Sequence, residues 1–326
     1  MDTNTEGALP LHIHTPLVHS RPMSLASGLQ IYLKCENLQP TDTFKIRGIA
    51  NLCSKAKSNG CTRVICSSGG NAGVAAAYAA RKLGLNASII VPESTPQFTV
   101  DRLRTELGAT VEVHGKVWNL SEQHALKLAE EPGCAYVPPF EHPDIWAGHA
   151  TVIEEIAQDL KEKPDVIILS VGGGGLLNGV VQGLRQVGWD DVPVVAMETV
   201  GADCFNQAVK SGHLVTLPDI TSVAKCLGAL TVSQTSLDYH RKHQIHSVVV
   251  EDKEAISACL RFLDDHRMMV EPACGAALAG IYSNVIPDLQ KGGKLKNDVR
   301  NIVIVVCGGS NVTLKQLVDW KEQFGL

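Results

Sequence analysis

The sequence predicts an α/β fold, with mostly parallel sheets covered by helices on both faces, and three observations carry that expectation. Short apolar, β-branched runs recur along the 326 residues, amphipathic stretches separate most of them, and Gly- and Ser-rich loops begin where three of the strands stop.

Taken in order, Ile31 to Cys35 opens the strand series. Arg63 to Cys66 and Ser88 to Val91 frame a small-residue helix over Ala75 to Leu83. A helical pattern over Thr99 to Leu107 leads to a strand at Thr110 to Val113, and another follows over Leu120 to Glu130. Helix Val152 to Lys161 precedes Val166 to Leu169, whose unbroken apolar run reads as a buried central strand. Helix Leu176 to Val187, strand Val194 to Met197 and strand Ser247 to Val250 continue the alternation. Helices Lys253 to Asp265 and Cys274 to Ile286, strand Ile302 to Val306 and helix Leu314 to Phe324 complete it. The turn-rich stretch Pro132-Gly133, Pro138-Pro139 and Pro143 interrupts the rhythm. It divides the chain into a smaller domain, 45–140, and a larger one made of 1–44 plus 141–326.

Composition excludes several function classes. A hydrophobic fraction of 44% and a charged fraction of 19% fit a folded globular chain. The formal net charge of −5, with no Lys/Arg run, gives no basic surface for nucleic acid or anionic lipid. No apolar stretch reaches the roughly 20 residues of a membrane span, and Met1 to Glu6 is too polar and acidic for a targeting peptide. A cytoplasmic location and a small-molecule partner are therefore expected. The 10 cysteines form no C-x-x-C pair and read as reduced thiols. His12, His14, His240, His243 and His246 lack nearby Cys or carboxylate partners at zinc-site spacing and read as solvated or core histidines.

The most informative motif is Ser170-Val171-Gly172-Gly173-Gly174-Gly175-Leu176-Leu177, clamped between a strand pattern and a helix pattern. Glycines there let backbone N–H groups converge on an anion at a helix N-terminus, so the run reads as a phosphate cradle and not as a linker. A G-x-G-x-x-G register fails because Leu177 or Asn178 stands where the last glycine belongs, and no Gly-Lys-Ser/Thr follows. The phosphate belongs to something other than NAD or ATP.

Two further segments qualify that reading. Lys45, in Thr43-Phe44-Lys45-Ile46-Arg47-Gly48, is a lysine between bulky neighbours near a helix start. In a dry pocket such an amine becomes a nucleophile toward an aldehyde. Ser67-Ser68-Gly69-Gly70-Asn71-Ala72-Gly73 precedes a helix and suits a carboxylate. The three loops after strands, including Cys307 to Asn311, are expected to share one cleft.

Together, Thr-Phe-Lys-Ile-Arg-Gly, Ser-Ser-Gly-Gly-Asn-Ala-Gly, Ser-Val-Gly-Gly-Gly-Gly-Leu and Cys-Gly-Gly-Ser-Asn, in this order, resemble the fold type II pyridoxal-phosphate enzymes, in the branch of serine and threonine dehydratases. The resemblance runs from His14 to Asn311 and implies a two-lobed architecture like that of the tryptophan synthase β-subunit. It implies that Lys45 carries pyridoxal 5'-phosphate and acts as base at the substrate Cα, with Phe44 stacked on the pyridine ring. Asn71 would bond the ring hydroxyl, and Ser68, Gly69, Gly70 and Asn71 would hold the substrate carboxylate. Gly172, Gly173, Gly174, Gly175 and Leu176 would bind the phosphate, with Phe140 on the substrate side. Cys307 would meet the ring nitrogen, and Cys226 would stand beside the other ring face where the family commonly has a small residue. Gly172, Glu198, Ala202, Leu227 and Ala229 would form a monovalent-cation site for an ion such as K+.

The activity so implied is β-elimination from L-serine and L-threonine to keto acids and ammonia, a step in amino-acid catabolism, by a homodimer. Another lyase or a racemase of the same fold, and a pseudoenzyme that binds the cofactor without turnover, are the alternatives. Gly69 stands where racemases of this fold carry a serine, which disfavours two-base chemistry. Asp42 replaces a frequent glycine before the lysine. Only about one helix follows Asn311, so no appended regulatory domain, and hence no isoleucine feedback, is expected.

Overall fold

A computed structural model describes residues 10–93, 95, 97–116 and 118–326; the Met1 to Glu6 stretch read above lies outside them. The strands are β1 (Leu17–His19), β2 (Gln30–Lys34), β3 (Arg63–Cys66), β4 (Asn86–Val91), β5 (Thr110–Val113), β6 (Cys134–Tyr136), β7 (Val166–Ser170), β8 (Val194–Thr199), β9 (Ile245–Val250) and β10 (Asn301–Val305). The helices are α1 (Arg21–Ser27), α2 (Lys45–Ser58), α3 (Asn71–Leu83), α4 (Gln97–Thr105), α5 (Trp118–Leu128), α6 (Pro143–Asp159) and α7 (Gly175–Gln186). They continue with α8 (Cys204–Ser211), α9 (Gln234–His240), α10 (Asp252–His266), α11 (Pro272–Tyr282), α12 (Val285–Lys291) and α13 (Leu314–Gln323).

Two sheets result. Six strands run in the order β1-β2-β10-β7-β8-β9, parallel except for the short edge strand β1, and four run in the order β5-β4-β3-β6, all parallel. Every residue of β7 and β8 is buried, as expected for central strands covered on both faces. Burial thins to mostly intermediate at β9 and to one buried residue in β5, the edges. Each sheet has its own apolar core, with Val166 to Leu169, Leu177, Phe205 and Phe262 in one and Ile46, Ile49, Val74, Ile89 and Leu103 in the other.

All eight expected strands form, two with the expected ends and six with ends shifted by one or two residues. The three-residue strands β1 and β6 carry too little pattern to stand out in the sequence. Helix α6 starts at Pro143, nine residues before the expected Val152. Pro143 occupies the first helical turn, where a missing N–H costs nothing, and the His142 side chain accepts from Asp144 N at 3.1 Å. The helix expected over Cys274 to Ile286 is two helices, α11 and α12, parted where Asn284 takes a left-handed φ of 60°.

Helix α2 shows how packing overrides weak local signals. Its N-cap, Phe44, makes no side-chain cap bond, and Gly48 sits in its first turn. Anchorage comes instead from Arg47, which is fully buried and bonds Glu36 through Nε and Nη2 at 2.7 and 2.8 Å and both Glu155 oxygens at 2.7 Å. Lys34 adds a 2.6 Å bond to Glu155. Two bidentate carboxylates fix the rotation of α2 about its axis, and hence the direction of Lys45 two residues earlier.

Candidate active site

The three loops after β3, β7 and β10 do meet. Thr43, Phe44, Lys45, Asn71, Phe140, Ser170, Gly172 to Leu177, Cys226, Glu271 and Cys307 to Gly308 line one pocket between the two sheets. The lysine loop is stitched to the loop after β10: Phe44 N donates to Cys307 O at 3.3 Å, and Gly309 N donates to Asp42 O at 2.7 Å. Asp42 adopts φ 59°, the left-handed region that glycine enters most readily.

Lys45 Nζ donates to Pro139 O at 2.5 Å and lies 5.4 Å from the Phe44 ring centroid. Burial lowers its pKa from 10.5 to about 8, so a usable fraction is neutral near physiological pH. Phe44 in turn packs against His149, ring centroids 4.9 Å apart. Both His149 nitrogens are buried with no hydrogen-bond partner among the described residues, and burial, with Lys45 and Arg47 adding to it, holds the ring neutral.

Also in the pocket lining, Gly174 (φ 93°) turns the chain into α7. A side chain on Gly173 would collide with the Phe140 ring, and one on Gly174 with Ser236 Oγ. The backbone N–H groups of Gly172, Gly173, Gly174, Gly175 and Leu176 donate to no acceptor among the described residues, although they head a 12-residue helix. Five free donors at a positive helix end fit a dianionic phosphate. Cys307 Sγ, buried, lies 3.4 Å from Ser170 Oγ.

Asn71 also lines the pocket, but its amide is engaged: Nδ2 donates to Glu271 at 3.1 and 3.2 Å, and Oδ1 accepts from Ser310 N and Asn311 Nδ2. Cys226 Sγ lies 3.7 Å from both Asn71 Nδ2 and Asn311 Nδ2. Burial raises the Cys226 thiol and the Glu271 carboxyl alike. Sequence reading gave Glu271, Ser170, Arg47 and His149 no role. The Glu271-Pro272 helix start was the one available signal for the first of these.

Of the other expected residues, Ser68, Gly69, Gly70, Glu198, Ala202 and Ala229 lie outside the pocket lining, and Phe140 and Leu227 are part of it. Ser68, Gly69 and Gly70 are partly buried beside Asn71, and the Ser68 hydroxyl accepts from Gly70 N at 3.3 Å. Phe140 lies against the glycine cradle. Glu198 is fully buried, its oxygens accepting from Phe205 N and Asn206 N at 2.8 Å each, and burial pushes its pKa up to about 8. Leu227 touches the pocket, and a side chain on Gly172 would lie 3.1 Å from Leu227 O. Ala202 N bonds Thr199 O, and Ala229 N bonds Leu227 O. All 10 cysteines are free.

A buried lysine of lowered pKa that shares a pocket with a run of free backbone N–H groups, at the ends of parallel strands, fits the α/β enzymes that carry a phosphorylated aldehyde cofactor. The chain belongs to the pyridoxal-phosphate dependent enzyme family, whose profile matches residues 8–308. It is 52% identical to human serine dehydratase-like, covering 97% of this chain and 96% of that one. It is also 52% identical to human L-serine dehydratase/L-threonine deaminase, covering 97% of each. A fungal L-serine ammonia-lyase from Rhizomucor miehei superimposes with a TM-score of 0.90 at 36% identity, covering 96% of this chain and 99% of that one. Among the described residues no helix is long and apolar enough to cross a membrane.

Proposed function

We propose that the chain is a pyridoxal-phosphate-dependent ammonia-lyase that converts L-serine to pyruvate and L-threonine to 2-oxobutyrate, releasing ammonia from each. One observation carries the reading: the amine of Lys45, with its pKa lowered to about 8, opens into the same pocket as the free N–H groups of Gly172 to Leu176. The names of the relatives supply the substrates.

When bound, pyridoxal phosphate supplies an electron sink for charge left at the substrate Cα. Lys45 would hold it and then take the Cα proton. Gly172 to Leu176 would hold its phosphate, Phe44 and Cys226 would flank its ring, and Cys307 would face its nitrogen beside Ser170. A thiol does not hold that nitrogen protonated as a carboxylate would, so the site favours loss of the Cβ hydroxyl over amino-group exchange. Ser68 to Asn71 would orient the substrate carboxylate, with Phe140 closing the side of the cradle. Gly172, Glu198, Ala202, Leu227 and Ala229 would hold K+, which would favour the charged form of Glu198 against the burial that raises its pKa. The smaller domain would comprise 45–140 and the larger 1–44 plus 141–326, in a cytoplasmic homodimer.

Keto acid release from both amino acids tests the reading. Lys45→Ala should lower it by on the order of 10³-fold and remove the visible absorbance of the bound cofactor. A wild type that binds cofactor yet releases no keto acid would favour a binding-only role, and release of D-serine would favour a racemase. Substituting tetramethylammonium for K+ in the assay should slow the enzyme, and sedimentation velocity tests the dimer.

A further inference from the structure

A second cluster of ligand side chains lies away from the pocket, at the edge of the four-stranded sheet. Glu112, in β5, and His114, just past it, are two residues apart on extended chain and so share a face. His124, from α5, packs over them, its ring stacked on that of His114 with centroids 4.1 Å apart and planes 14° apart. His124 Nε2 lies 2.8 Å from Glu112 Oε1. One ligand atom from each residue falls within 4.8 Å of the other two.

We propose that Glu112, His114 and His124 form a binding site for a divalent transition metal, with zinc as the reference ion. Two imidazoles and one carboxylate, with a fourth position open to water, are a donor set that zinc takes up readily, and imidazole selects it over magnesium or calcium. Metal–ligand bonds of about 2.0–2.2 Å set ligand atoms roughly 3.3–3.6 Å apart, so the His124–Glu112 pair would open slightly and the stacked rings would turn toward a shared point, by rotation of the exposed Glu112 and His114 and the half-buried His124. The backbone beneath is already held: His114 N donates to Val91 O at 2.8 Å, and Ser121 Oγ of α5 donates to His114 O at 2.7 Å.

The site has a physical route to the pocket. Helix α5 also carries Trp118, whose Nε1 donates to Ser67 O at 2.7 Å, and Glu122, which accepts from Tyr136 OH at 3.3 Å. Tyr136 OH is in turn 2.8 Å from Ser67 Oγ. A metal that pins α5 to β5 therefore stiffens the segment that begins the Ser68 to Asn71 loop. This consequence rests on the reading of that loop as the carboxylate site; metal binding itself does not.

The test is zinc titration of tag-free holoenzyme by calorimetry, alongside the folded variants His114→Ala, His124→Ala and Glu112→Gln. Wild type should take up one zinc per chain, with affinity falling at least tenfold in each histidine variant. Equal binding by wild type and both histidine variants, as zinc held by thiols would give, overturns the site, as does a wild type that takes up none at micromolar metal. In wild type, zinc should shift KM for serine several-fold at unchanged kcat, and leave His124→Ala unmoved. Zinc uptake with an unmoved KM overturns the coupling, whereas a chain inactive toward serine but still binding zinc through these histidines indicts the proposed reaction alone.

Discussion

Lys45 owes its chemistry to its surroundings, since burial beside the Phe44 ring costs an ammonium ion more than an amine. Its folded pKa, about 8, lies below the ordinary 10.5. Between those values the folded chain binds fewer protons than the unfolded one, so this residue's contribution to stability rises with pH across that window and is flat below it. The same shift governs reactivity. In cofactor-free protein, trinitrobenzenesulfonate should label Lys45 half-maximally near pH 8, while solvated lysines should keep gaining reactivity toward pH 10.5; peptide mapping against pH reads both. A Lys45 profile that climbs with the surface lysines would mean the amine is solvated. Lys45 was legible in the sequence because its neighbours form a recognisable string. Glu271 was not, because its meaning depends on Asn71 and Asn311, each at least 40 residues away in the chain.

At the scale of elements, α6 sets the separation of α2 and α7. It packs against α2, which carries Lys45, and against α7, which follows the glycine run. At the first contact the backbones nearly touch: a side chain on Gly148 would meet Arg47 O and stand 2.6 Å from Gly48 Cα. At the second, one on Gly179 would stand 2.8 Å from Trp146 O. Gly148→Ala should therefore push α2 outward, costing about 1–3 kcal/mol by overpacking. Because Lys45 rides on that helix, the variant should also bind pyridoxal phosphate more weakly, read by equilibrium titration of the visible absorbance, whereas Gly188→Ala, in an open turn, should not weaken it. Unchanged cofactor affinity in Gly148→Ala would show that α2 can shift without moving its lysine. None of this spacing was visible in the sequence. A glycine that permits a helix crossing looks like any other glycine until its partner is known, and α2 itself lacked the capping signals that mark a helix start.

The molecule as a whole is two sheets joined through one site. The alternation of strands and helices was readable because central parallel strands such as β7 are apolar throughout, and tertiary context strengthens that pattern instead of overriding it. What could not be read is which strands neighbour which: β10, last in the chain, lies between β2 and β7, so its loop faces that of Lys45. That topology makes the cofactor a tie between sheets. Asn71 follows β3 in the four-stranded sheet, whereas Gly172 to Leu176 and Cys307 follow β7 and β10 in the six-stranded one. A ligand that binds only the native arrangement stabilises it by mass action, about 2.7 kcal/mol at a hundredfold excess over Kd. Because the contacts come from both sheets, local openings of either should be suppressed together. Loading with pyridoxal phosphate should then slow amide hydrogen exchange in β3 and the first turn of α3 as well as in α7 and the loop after β10. Slowing confined to α7 and the loop after β10 would mean that the four-stranded sheet does not grip the cofactor, and that Asn71 stays with Glu271 when the site is filled.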